Sequence, residues 1–142
     1  MTTSQHIAKL YKDLIQGGYY AGVSFQHVLR DVTFKEAVTK VGSLNTIATL
    51  VHHIQYYCNA VIGVLEGGPL TAKDSLRFEH PPVASAAAWE ALKAQTWREA
   101  ERFTELVEAL SKEKLSEEFI KDAYGTYYRN IHGVIEHTHY HL

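Results

Sequence analysis

Cysteine is nearly absent: Cys58 stands alone among 142 residues. An internal disulfide is therefore impossible, and a reducing, cytoplasmic setting is the expectation. Proline is almost as scarce, and all three (Pro69, Pro81, Pro82) fall in one stretch. Together with Gly67-Gly68 they mark a single long mid-chain connection. No apolar run approaches the ~18–20 residues of a membrane helix. The first residues, Met1-Thr2-Thr3-Ser4-Gln5-His6, lack the basic and apolar regions of a secretory signal. An excess of one charge is missing too, since 14 Lys+Arg against 16 Asp+Glu leaves −2. That balance offers no broad attraction for nucleic acid or an anionic membrane, so neither is expected as a partner. Internal repeats are absent, and only Tyr19–Val23 reads as extended, so the case for strands is poor.

What the chain does have is helical periodicity. From Ser4, the residues Ile7, Leu10, Tyr11, Leu14 and Ile15 recur at helical spacing until Gly17-Gly18 stops them. A second long helix is predicted from an N-cap at Ser43 to Gly67-Gly68, with a stripe of Ile47, Val51, Ile54, Cys58, Val61 and Leu65. A third runs from about Ala86 to Leu110, carrying Trp89, Leu92, Ala100, Phe103 and Val107 opposite a charged face. A fourth starts near Thr126 and continues to the chain end, with Tyr127, Ile131, Val134 and Thr138 on one side. Two short pieces intervene early: Ser24 can cap Phe25–Asp31, and Thr33-Phe34-Lys35-Glu36 has capping-box spacing. Four long amphipathic helices with a mid-chain crossover predict an all-α four-helix bundle, one domain over residues 1–142.

Histidine is abundant, nine in all and four within the last eleven residues. On a helical wheel referred to inward-facing Val134, His137 falls about 60° away and His141 about 20° away. His132 and His139 fall roughly 140–160° away, on the outer surface. His137 and His141 are one turn apart and can direct their rings at one point, as ligands of zinc, nickel, copper or ferrous iron do. A third donor is needed. His52-His53 on the second helix can supply it, and His53 shares its flank with the apolar or aromatic Leu50, Tyr57 and Val64, so the wheel leans towards His53. The competing reading is a set of hydrogen-bonded core histidines stacked on tyrosines, with no metal.

These residues resemble the DinB-like, or YfiT-like, superfamily of small metal-binding four-helix bundles, the DNA-damage-inducible DinB type that is unrelated to the polymerase of that name. The resemblance spans nearly the whole chain. It includes the first helix, the piece from Gly22-Val23-Ser24-Phe25 to Ala37, the opening Leu44-Asn45-Thr46-Ile47-Ala48-Thr49-Leu50-Val51-His52-His53-Ile54, and the closing His137-Thr138-His139-Tyr140-His141-Leu142. It implies that His53, His137 and His141 hold one divalent ion, whether zinc, nickel, iron or manganese. It further implies a homodimer and a small-molecule substrate. The implied activities are hydrolysis, or transfer of a low-molecular-weight thiol such as bacillithiol or mycothiol to an electrophile. Relatives carry the last helix at least one turn further. Here the chain ends one residue after His141, so either the metal fixes that turn or the sequence is shortened.

Three imidazoles leave a position open for water or substrate, as in catalytic rather than structural sites. Thr138 follows His137 where a His-Glu-x-x-His protease has Glu, which argues against that chemistry. Glu136 points outward on the wheel. Tyr57, one turn beyond His53, is the candidate proton donor or substrate contact, against the alternative of a plain bundle tyrosine. Asn130 is a candidate partner for a ligand or for a histidine's second nitrogen. Cys58 lies in the apolar stripe and reads as core rather than nucleophile. Trp89 reads as core and Trp97 as core or interface. The pairs Tyr19-Tyr20, Tyr56-Tyr57 and Tyr127-Tyr128 suggest dimer contacts or a pocket rim. Three functions remain: a metal-dependent transferase or hydrolase, a non-catalytic metal- or ligand-binding stress-response protein, and a metal-free structural dimer.

Overall fold

The computed structural model describes all residues, Met1–Leu142. Seven α-helices follow in order: α1 (Thr3–Gln16), α2 (Phe25–Leu29), α3 (Phe34–Val38), α4 (Ile47–Leu65), α5 (Ala86–Glu108), α6 (Lys112–Ser116) and α7 (Tyr127–Tyr140). The four long ones form the expected bundle. α1 and α4 lie diagonally opposite, and each packs against both α5 and α7. Their inward stripes meet in one core in which Leu14, Phe103, Val107 and Ile131 are wholly buried. Each such side chain contributes about 1.5–3 kcal/mol by leaving water. Tyr11 meets Phe103 at 4.6 Å between ring centroids, joining α1 to α5. Trp89 is core as expected, and its indole N–H donates to the Val32 carbonyl at 2.8 Å, tying α5 to the chain before α3. Trp97 is half-buried, edge-on to Phe25.

Several boundaries differ from the sequence reading, each for a local reason. α4 is capped by Thr46 rather than Ser43; the Thr46 hydroxyl accepts from the Thr49 N–H at 3.1 Å. A turn closed by Leu44 N–H to the Val41 carbonyl, with Gly42 at φ 54°, keeps Ser43 out of the helix. α2 stops at Leu29, before Asp31. The Thr33 capping box forms in full, with the Glu36 carboxylate returning to the Thr33 N–H. Tyr19–Val23 is not extended; Gly22 N–H bonds the Tyr19 carbonyl in a turn that needs φ 75° at Gly22. α7 stops at Tyr140, so His141 is its C-cap and not a helical residue. The sequence reading also missed α6, a single turn capped by Ser111.

The connection between α4 and α5 positions the site. It doubles back along α4, and one face of that helix fastens it residue by residue. The Tyr56 hydroxyl donates to the Lys73 carbonyl at 2.9 Å and accepts from the Lys73 N–H. Tyr57 donates to the Asp74 carboxylate at 3.0 Å. One turn back, His53 bonds the Arg77 carbonyl at 2.9 Å, and a turn earlier Thr49 meets His80 at 2.9 Å. A 3-10 turn, Asp74–Leu76, lets this irregular segment keep the helix's spacing.

Candidate metal centre

α4 and α7 bring three imidazoles together where the strap crosses them. His53 is buried, while His137 and His141 are half-buried. One ligand nitrogen from each lies within 4.8 Å of the other two. The ring centroids are 4.7 Å apart for His53–His137, 4.9 Å for His53–His141 and 4.7 Å for His137–His141. The wheel placed His137 and His141 on the inner side and His132 and His139 on the outer, and the structure has the same division. His132 stacks on Tyr128 and sits 3.6 Å from Glu136, while exposed His139 meets Tyr19 edge-on.

The protonation pattern suits a cation. A carbonyl can only accept, so the bond to Arg77 places the proton of neutral His53 on Nδ1. Its Nε2 is then the acceptor of a hydrogen bond from the His137 Nε2–H at 2.9 Å, a contact that a shared ion would replace. Two ligands of a tetrahedral ion bound at ~2.0–2.1 Å stand about 3.3 Å apart, close to that separation. Burial, then the nearby His141 and His53, push His137 down to about 4. Burial and His53 also lower His141. Both rings are thereby held neutral at pH 7, the form that ligates metals. The donor set therefore fits a divalent transition metal.

Two residues hold the His53 ring that spacing could not have revealed. The Arg77 carbonyl fixes its tautomer, and Phe78 stacks on it at 4.3 Å with an interplanar angle of 16°. Both come from the proline-bounded connection, where no periodic pattern marks an inward side. Tyr57 lies edge-on to His53 at 5.3 Å and to His137 at 5.0 Å. Burial and Asp74 raise its pKa, so the phenol keeps its proton.

The three histidines open onto a cavity of about 1020 Å³, also lined by Tyr57, Asp74, Arg77 and Arg129. Leu70, Phe119 and Val134 give it an apolar wall. This volume reaches the upper end of small-molecule pockets, which run ~300–1,000 Å³.

A family model, the DinB superfamily, matches residues 22–142. The chain belongs to the DinB superfamily. No curated protein and no solved structure matches it. In this DinB-superfamily protein the other sequence candidates take structural places. Asn130 donates to the carbonyls of Tyr124 at 2.9 Å and Thr126 at 2.8 Å, bracing the start of α7 rather than touching a histidine. Cys58 is buried beside the Tyr11 hydroxyl at 3.5 Å, and burial pushes its thiol up to about 12, which removes it as a nucleophile. His52 stacks on His80 at 4.2 Å, on the flank of α4 away from the cavity. Of the tyrosine pairs, Tyr20 and Tyr128 are exposed while Tyr127 is buried. No helix is long and apolar enough to cross a membrane.

Proposed function

We propose that His53, His137 and His141 hold one divalent transition-metal ion, and that the protein is a metal-dependent enzyme transferring a small thiol to an electrophile. The observation that carries this reading is the convergence of three imidazoles within 4.8 Å, with His53 Nε2 left as an acceptor by the Arg77 carbonyl, beside a cavity of small-molecule size. Bound there, such an ion supplies Lewis acidity that lowers the pKa of a coordinated thiol or water.

The chain's own residues do the rest. The apolar wall of Leu70, Phe119 and Val134 takes up the carbon skeletons and excludes water. The reaction forms a carbon–sulfur bond from the sulfur's electron pair while the electrophile's leaving group departs with its own pair. The thiol's proton goes to Asp74, the single carboxylate on the cavity wall, through the Tyr57 hydroxyl that already donates to it. Hydrolysis of a small molecule is the second reading, supported by that same pair as a base for water.

The test is metal analysis of protein purified without a nickel column, followed by assay with a low-molecular-weight thiol and an alkyl halide. One equivalent of metal and turnover abolished by His53→Ala support the proposal. Metal bound without transfer leaves a binding protein and overturns the enzymatic half. No metal bound after loading with zinc, nickel, iron or manganese overturns all of it.

A further inference from the structure

We infer that the substrate of this cavity carries an anionic group, a carboxylate, gripped at the rim by Arg77 and Arg129 with Lys73 beside them. The inference rests on the reading of the cavity as a substrate site and adds the class of molecule it takes.

The chain as a whole carries −2, yet this wall presents three cations (Lys73, Arg77, Arg129) and one carboxylate (Asp74). Asp74 is already engaged by the Tyr57 hydroxyl. None of the three cations has an ion-pair partner. The groove between α1 and α5, by contrast, has Lys12 and Arg98 against Glu101, Glu105 and Glu108.

Both guanidiniums are braced. Arg77 donates one N–H to the Asp74 carbonyl at 2.9 Å and lies 5.3 Å over the Phe78 ring, the ring that stacks on His53. Arg129 lays its stem across Gly125, where a Cβ would come 2.9 Å from its Cδ. Gly125 also has φ 72°, so the position is closed to ordinary side chains twice over. A planar guanidinium on a cavity wall suits the two oxygens of a carboxylate better than a neutral group. Leu70, Phe119 and Val134 give the same cavity an apolar wall. The substrate is thus a small molecule with an apolar body, its reacting atom at the histidine end and its carboxylate at the rim.

The test measures binding of 4-phenylbutyrate, 4-phenylbutanol and 4-phenylbutyl phosphate by calorimetry to the full chain, zinc-loaded and metal-free. The acid is expected to bind at least tenfold tighter than the alcohol in both forms, with the advantage shrinking from low to 0.5 M salt. Arg77→Gln and Arg129→Gln should each cut that preference at least threefold and together erase it. Zinc stoichiometry and melting temperature should stay as in the parent. Equal affinity for acid and alcohol, no binding of either, or a preference untouched by both substitutions overturns the inference. A phosphate favoured over the acid overturns the carboxylate assignment. Loss of zinc binding with the acid preference intact would sink the metal reading alone.

Discussion

Two histidine groups start from adjacent residues of α4, and they differ in what surrounds their nitrogens. His52 stacks on His80, whose Nδ1 meets the Pro81 carbonyl at 2.8 Å and must therefore carry the proton. Its Nε2 is then left to accept from the Thr49 hydroxyl at 2.9 Å, and both nitrogens are spent. His53 likewise uses Nδ1 on the Arg77 carbonyl, but its Nε2 meets another imidazole, that of His137, at 2.9 Å, where a shared ion can take the place of the hydrogen bond. Ring stacking and partial burial are common to both groups. The partner of the second nitrogen separates a packed histidine pair from a set of donors: the Thr49 hydroxyl of α4 in one group, a second imidazole on α7 in the other.

The comparison is broken most directly by removing one ring from each side. His53→Ala or His137→Ala is expected to weaken zinc binding by more than about 100-fold, beyond the ~10–100-fold that outer partners typically cost. His80→Ala should change it by less than about threefold, since that ring stands outside the three-histidine group. Competition against a chromophoric chelator gives both values. Similar losses from the two sides would mean that the pairs are not distinguished as argued.

A smaller effect sharpens the role of the strap. Phe78→Ala leaves all three imidazoles in place but removes the surface against which His53 stacks. Zinc affinity should fall by about tenfold, because a ring free to turn must be ordered on binding. Affinity equal to that of the parent protein would show that the Arg77 carbonyl alone orients the ring.

The donors were legible because two lie on long helices and the third, His141, directly follows one, so that neighbours report the side of each. Ile131, Val134 and Thr138 fix the inner face of α7, and His137 and His141 follow from counting. His53 was separable from His52 only by its flank, and the resemblance to a known family agreed with that leaning. The core reading of Cys58 followed from the same stripe. Asp74, Arg77 and Phe78 were out of reach for a physical reason. They sit in a segment without periodicity, held by hydrogen bonds to α4 whose register depends on the tertiary path of the chain. Asn130 was legible only in part: it lines the cavity, but its place on α7 said nothing of the two carbonyls that claim its amide N–H groups. Ser43 was mistaken for the α4 cap because a good capping residue is a local signal, and the Gly42 turn overrides it.

The smallest expected effect is one that the two histidine groups share until metal is added. Burial and His80 push His52 down to about 4, and His137 lies at about 4 as well, both against an ordinary value near 6.5. Between those values the unfolded chain binds protons that the folded chain refuses, so folding stability rises with pH across that window. Stability is therefore fully present above about pH 6.5 and is lost as the pH falls towards 4. Both rings are only half-buried and solvent screens them, so the metal-free protein should lose only a few degrees of melting temperature over the window. His52→Gln and His137→Gln should each flatten that slope. Zinc should then separate the groups, because it binds only neutral imidazole at His137 and competes with protons there. The zinc-loaded protein should lose stability more steeply below the point where protons displace the ion, and His137→Gln should abolish that zinc-dependent part while His52→Gln leaves it. A zinc-dependent acid transition that survives His137→Gln would place the ion elsewhere in the molecule.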